Sequence, residues 1–223
     1  MTATARRSRA TGARLAPAVR RRQILDAAIE YFSEAGFGVQ TRELTRRIGV
    51  TQPLLYRYFP SKQALIEAVF EEVFLSRLDA RWIERLRDRS LPLRDRLIRF
   101  YLQYAQTTYR PQWLRIYMYA GLAGEGFNRA YVALVRRRLL APMCEELRAE
   151  LLPPGSPAHA RAPSAREIEF VWNLHGSMFY WAVRHHIFGV RPTVRYETRT
   201  ADAVDLFLAG AEKHYAQIAG ARG

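Results

Sequence analysis

Residues 49–62 read GVTQPLLYRYFPSK and set two leucines, two tyrosines and a phenylalanine beside Arg57 and Lys62. Such a stretch is either core or a surface with a partner, and helical periodicity separates its two faces. Thr51 is a good N-cap, Pro53 is tolerated in a first turn, and Pro60-Ser61 closes the helix. Within it, Leu55 and Phe59 lie four apart. A preceding short helix, expected over roughly 41–48, carries Leu44 and Ile48 at the same spacing, and Gly49-Val50 makes a tight break between the two. Two short helices joined at a glycine fit a helix-turn-helix with these four apolar residues as its core. The opposite side presents Gln52, Pro53, Tyr56 and Arg57, while Leu54 lies between the faces. Gln suits a two-pronged pairing with adenine, Pro an apolar contact with a thymine methyl, and Arg a fork onto guanine. Tyr58 and Lys62 carry the hydroxyl and ammonium groups that suit phosphate oxygens. Periodicity alone is equally compatible with an ordinary amphipathic helix whose polar face is solvated.

The charge balance bears on that choice. Against 35 Lys+Arg stand 21 Asp+Glu, a net of +14, and nearly all the basic residues are arginine. Residues 1–62 hold 12 of the basic and 4 of the acidic side chains, so over half of the excess sits in little more than a quarter of the chain. This favours a polyanion at the N-terminal end, nucleic acid before membrane. An arginine-rich proteome would account for part of it. Cys144 is the only cysteine, so no intrachain disulfide can form and a reducing, cytoplasmic setting is expected. The arginine-rich start has no apolar run behind it, as a secretory signal would, and no segment approaches ~20 uninterrupted apolar residues.

The chain reads as all-α. Residues 1–16 are small and basic, a flexible arm with Arg6, Arg7, Arg9 and Arg14; it would enter a minor groove or stay a tethered tail. Ile24, Ala27, Ala28, Tyr31 and Phe32 line one face of a first helix that EAGFG ends. Ser61 is expected to cap a long helix reaching about residue 88. Further helices are expected near 92–109, 111–122 and 126–151, the last kinked at Pro142. PPGSPAHARAP, 153–163, is the clearest linker. Ser164 and Glu167 form a capping box opening a helix that runs to Gly189, and a last helix lies near 199–219. The expected division is an arm over 1–16, a helix-turn-helix domain over 17–62 and a helical bundle over 63–223.

The run QTRELTRRIGVTQPLLYRYFPSKQALIEAV resembles the N-terminal domain of the tetracycline-repressor (TetR) family of bacterial transcription regulators, and its LYRYFPSK core is highly specific for that family. The resemblance covers residues 20–70. It implies that Thr41, Tyr56, Tyr58 and Lys62 grip the DNA backbone or groove wall and that Arg42, Gln52 and Pro53 read bases, with Thr51 and Leu54 at the same surface. Position 45, usually alanine in the family, is Thr45 here, and Leu54 stands where a small or hydroxylated residue is common. The operator preference should therefore differ from the tetracycline repressor's. The resemblance further implies a homodimer joined through the last two helices, a near-palindromic double-stranded operator, and a small-molecule effector that releases it.

Beyond residue 70 only architecture carries over. Aromatic residues crowd the expected bundle helices, among them Phe100, Tyr101, Tyr109 and Tyr180, and an effector site is expected among Tyr104, Trp113, Tyr117, Trp172, His175 and Phe179. The same rings could simply fill the core. The tetracycline-binding residues do not carry over, and the effector is expected to be largely apolar or aromatic. His175 would line that site or the dimer seam. His185 and His186 are adjacent and point ~100° apart on a helix, so no metal site is expected, nor any cofactor or catalytic residue. Two other classes stay open: a non-specific architectural DNA binder, and an all-α enzyme using the aromatic cavity. For the enzyme the sequence offers no nucleophile–base pair.

Overall fold

The computed structural model describes residues 16–124 and 126–220, and among them every regular element is helical. The arm expected over residues 1–16 lies, but for Ala16, outside the described residues. The first three helices are α1 (Pro17–Ala35), α2 (Thr41–Ile48) and α3 (Gln52–Tyr58). Local chemistry places their ends. Gly49 takes the left-handed conformation, φ +70°, that a residue with a Cβ rarely adopts, and its N–H closes α2 on the carbonyls of Arg46 and Thr45. Thr51 then accepts the Leu54 N–H at 3.4 Å to start α3, and Ser61 accepts the Ala64 N–H at 3.0 Å to start α4 (Lys62–Phe70).

The long helix expected from Ser61 to residue 88 is interrupted. After α4 the chain widens into a π-helical turn over Glu71–Leu75 and leaves the helix before α5 (Arg81–Leu86). The Ser76 hydroxyl bonds back to the Glu72 carbonyl at 2.6 Å, and the Asp79 carboxylate accepts the Arg81 N–H at 2.9 Å. A Ser and an Asp competing with the backbone in this way favour a stop and a restart over continuous helix. The helices α6 (Leu93–Thr108) and α7 (Pro111–Leu122) follow, then α8 (Phe127–Val135) and α9 (Ala141–Leu151). A second π-helical turn, Arg136–Leu140, joins α8 to α9 immediately before Pro142. Proline supplies no N–H and crowds the preceding turn, and widening that turn accommodates it where a kink was expected.

The last two helices are α10 (Ala165–His186) and α11 (Tyr196–Gly220). The capping box at Ser164 and Glu167 is formed as expected. Arg148 turns the linker over 153–163 into a fixed strap: it pairs with Glu167 at 2.6 Å and donates to the carbonyls of Ala158, Arg161 and Ala162. Residues from α1 to α11 contribute to one continuous apolar core. Within it α1 packs on α2, α4 and α7, while α11 packs on α6, α9 and α10. The α1–α7 contact closes at Gly36, which has φ +73° and sits so near the Tyr119 ring that a Cβ would lie 3.0 Å from it. The Tyr119 hydroxyl donates to the Glu34 carbonyl across the same contact, at 3.2 Å.

Candidate nucleic-acid interface and apolar cavity

The stretch at 49–62 divides as its periodicity requires. Leu44, Leu55 and Phe59 are buried, whereas Gln52, Pro53, Tyr56 and Arg57 are exposed, as are Arg42 at the start of α2 and Thr51 ahead of α3. Leu54, Tyr58, Thr41 and Lys62 are half-buried. Thr41 Oγ1 and the Tyr56 hydroxyl lie 3.0 Å apart, a hydrogen bond that ties the start of α2 to the middle of α3. Thr51 spends an oxygen lone pair on the Leu54 N–H, which leaves its own O–H to donate outward. Thr45 is buried and closes its hydroxyl on the Arg42 carbonyl at 2.8 Å, so it belongs to the scaffold.

Charge on this face is sorted by its ion pairs. Arg46 pairs with Glu43 at 2.9 Å, and Arg47 pairs with Glu34 at 2.7 Å while lying over the Tyr31 ring. Arg22 joins Asp26 to Glu72, at 2.8 and 2.9 Å, and so links α1 to the first π-helical turn. Among the described residues no ion pair occupies Arg42 or Arg57. These two guanidiniums stand on the exposed face with Gln52, where a polyanion would meet them.

The second site is a cavity of ≈ 80 Å³ inside the bundle. All six residues expected to bind an effector, Tyr104, Trp113, Tyr117, Trp172, His175 and Phe179, meet at its wall, joined by Tyr109, Tyr131, Val132, Val135 and Gly176. Phe100 and Tyr101 are buried outside it, and Tyr180 is exposed. The contribution of α8 was hidden in the sequence. Tyr131, Val132 and Val135 show only ordinary helical spacing, and the packing of α8 on α7 turns Tyr131 and Val135 inward while Val132 stays exposed at the rim. Trp113 and Tyr117 stack with centroids 5.1 Å apart, and Tyr131 meets both edge-on. The Tyr104 and Tyr131 hydroxyls satisfy each other at 2.9 Å. His175 Nδ1 and the Tyr109 hydroxyl are buried without a partner among the described residues. Burial pushes the His175 imidazolium down to about 4, so the ring is neutral, and burial likewise raises the Tyr104, Tyr109 and Tyr131 phenols.

The two sites are joined by contact. Phe74, in the π-helical turn after α4, packs against Trp113 at 5.0 Å, Tyr131 at 5.3 Å and Tyr117 at 6.1 Å, and it stacks on Phe70 of α4 at 4.6 Å. The cavity wall therefore touches the π-helical turn that continues α4, and α4 follows α3 directly. Among the described residues no group of three His, Cys, Asp or Glu side chains is placed to hold a metal, and no helix is long and apolar enough to cross a membrane.

Comparison with known proteins bears on both halves. Residues 24–69 match the family model for bacterial regulatory proteins of the tetR family. The tetracycline repressor protein class D of Escherichia coli is 32% identical over 88 residues, a stretch that spans 36% of this chain and 40% of that relative. Among solved structures, a tetR-family transcriptional regulator from Streptomyces coelicolor superposes with a TM-score of 0.61 at 20% identity, covering 93% of this chain and 87% of that one. A TetR-like regulator from a Rhodococcus species gives 0.59 at 24% identity, over 91% and 99%. At these identities the structural likeness establishes the fold, while the sequence match establishes kinship over the first helices. From α1 through α4, residues 24–69 therefore carry the sequence of the tetR family of bacterial regulatory proteins, and the chain as a whole has the fold of tetR-family structures.

Proposed function

We propose that this regulator is a cytoplasmic homodimeric repressor that binds a near-palindromic double-stranded operator and is released by a small molecule. The helix-turn-helix domain spans 17–62 and the effector and dimerisation domain 63–223. The observation that carries the reading is the exposed face of α3. Gln52, Pro53, Tyr56 and Arg57 stand together on it, opposite the buried Leu55 and Phe59, with no carboxylate neutralising Arg57 or Arg42 among the described residues. In this reading Gln52, Pro53 and Arg42 contact base edges, and Arg57 forks onto guanine. Thr41, Thr51, Tyr56, Tyr58 and Lys62 hold the backbone, with Leu54 at the edge of the surface.

Exposed apolar residues on α10 and α11, Tyr180 at 57% and Leu206 at 79%, support pairing with a second copy. Two-fold symmetry then sets two α3 helices on successive turns of one DNA face. The effector acts as a population shift. A molecule that enlarges the cavity displaces Trp113, Tyr117 and Tyr131, and with them Phe74 and the π-helical turn, so that α4 moves and the two α3 helices lose their spacing.

Selection of duplexes from a random pool, followed by affinity measurements on variants, tests this. Gln52→Ala should relax preference at one base pair, by about 1–3 kcal/mol. Lys62→Ala should weaken all duplexes alike and flatten the salt dependence by about one unit of slope. Equal affinity for selected and random duplexes would refute the operator reading and favour an architectural DNA binder.

A further inference from the structure

We propose that the cavity takes a small, uncharged, single-ring aromatic molecule that carries one hydrogen-bonding group, and that this group is met by His175 and Tyr109. The proposal rests on the cavity being the effector site and adds the chemistry of what enters it.

Three observations set that chemistry. The first is charge. No Arg, Lys, Asp or Glu lines the cavity, and its one ionisable base, His175, is held neutral by burial. Arg199, which contacts α10 beside the wall, already donates to the Ser177 carbonyl at 2.7 Å and to Met178 Sδ at 2.6 Å. A carboxylate or an ammonium entering here would give up its water without meeting an opposite charge, so an uncharged molecule is favoured over an ion.

The second is polarity. Buried polar atoms are almost always hydrogen-bonded, and the exceptions call for an explanation. The Tyr104–Tyr131 hydroxyl pair obeys the rule. His175 Nδ1 and the Tyr109 hydroxyl break it, and both belong to residues of the cavity wall. They also flank one ring: the His175 and Tyr109 centroids each lie 5.3 Å from that of Tyr104. A donor and acceptor on one ligand atom, as a hydroxyl provides, would serve both orphaned groups.

The third is size and shape. A cavity of ≈ 80 Å³ has room for two or three waters at ~30 Å³ each, while an apolar cavity of ~150 Å³ takes benzene. One ring fits after a modest opening of the wall. A fused multi-ring molecule would have to dismantle the Trp113–Tyr117 stack. Entry of a single ring also supplies the displacement that Phe74 would sense.

The test uses the full chain with phenol, benzene and benzoate as probes, read by calorimetry and by tryptophan fluorescence, with operator affinity measured in the same samples. Phenol should bind roughly tenfold more tightly than benzene, the worth of one satisfied buried hydrogen bond, and benzoate most weakly. Tyr109→Phe removes only a hydroxyl, and His175→Leu replaces the imidazole by an apolar side chain of similar bulk; each should shrink the phenol preference. Tighter binding of benzoate, a phenol preference that survives both substitutions, or no binding of any probe overturns the proposal. Binding of phenol without loss of operator affinity would leave the ligand class standing and sink the effector role. Release of operator by benzoate alone would do the reverse.

Discussion

Replacing His175 by Gln should abolish a specific part of the protein's acid sensitivity. His175 is 5% exposed and is enclosed by the rings of Tyr101, Tyr104 and Trp172, and burial alone holds its folded-state value near 4 against 6.5 for an unfolded chain. Below pH 6.5 the unfolded chain therefore takes up a proton that the folded chain refuses until about pH 4. The unfolded state binds more protons across that window, so stability falls as the pH falls, and below about 4 this group takes nothing more away. Between pH 7.5 and 4.5 the loss works out at roughly 2–3 kcal/mol for values of 6.5 and about 4. Glu146 and Glu167 also lose stabilising ionisation in acid, because Arg89, Arg96 and Arg148 outweigh their burial and hold both carboxyls low. The quantity to compare is therefore the pH-dependent loss of the parent minus that of His175→Gln, from urea denaturation at the two pH values. A difference of roughly 2–3 kcal/mol is expected. Equal losses in the two proteins, or a His175 imidazole resonance titrating near pH 6.5 in the folded chain, would refute the argument.

Three other perturbations have defined outcomes. Glu146→Ala removes the carboxylate 2.6 Å from the buried guanidinium of Arg96, leaving it Glu150 at 3.7 Å and the carbonyls of Leu86 and Leu91, and should cost about 3 kcal/mol in denaturation, whereas the double change Arg96→Met with Glu146→Leu should cost less. Phe74→Leu keeps an apolar side chain but removes aromatic contacts to Trp113, Tyr117 and Tyr131, each worth roughly 0.5–1.5 kcal/mol. It should leave operator affinity within a few fold while weakening release by phenol; unchanged release would sever Phe74 from the signal. Leu206→Glu, at a 79% exposed position on α11, should shift sedimentation from dimer toward monomer with the thermal midpoint of the monomer unit little changed. A dimer that survives would place the interface elsewhere.

Helix ends were legible wherever one side chain and its own backbone decide them. Gly49, Thr51, Ser61 and the Ser164–Glu167 box act within a single turn, so their residue types were enough to place them. The break after α4 was signalled only by Ser76 and Asp79, whose competition with the backbone is weak until the chain has a reason to turn. The inner and outer faces of α3 were legible for a similar reason, since a spacing of four residues fixes which side chains share a side. Leu54, unsettled between those faces, is half-buried.

The wall of the cavity is another matter. Tyr101 and Tyr104 sit three apart on one face of α6 and both are fully buried, yet one fills the core and the other meets the void. Tyr131 joins it from a helix whose rotation no local spacing specifies. Composition, caps and periodicity act over one or two turns of chain; they placed helices and sorted the two faces of α3, and the family resemblance of residues 20–70 identified the pair as a helix-turn-helix. Which rings close on a space, which polar atoms lack a partner and which side chain links the two sites depend on α4, α6, α7, α8 and α10 meeting in three dimensions. That meeting is governed by the fit of surfaces far apart in sequence, and it becomes visible only when they are packed together.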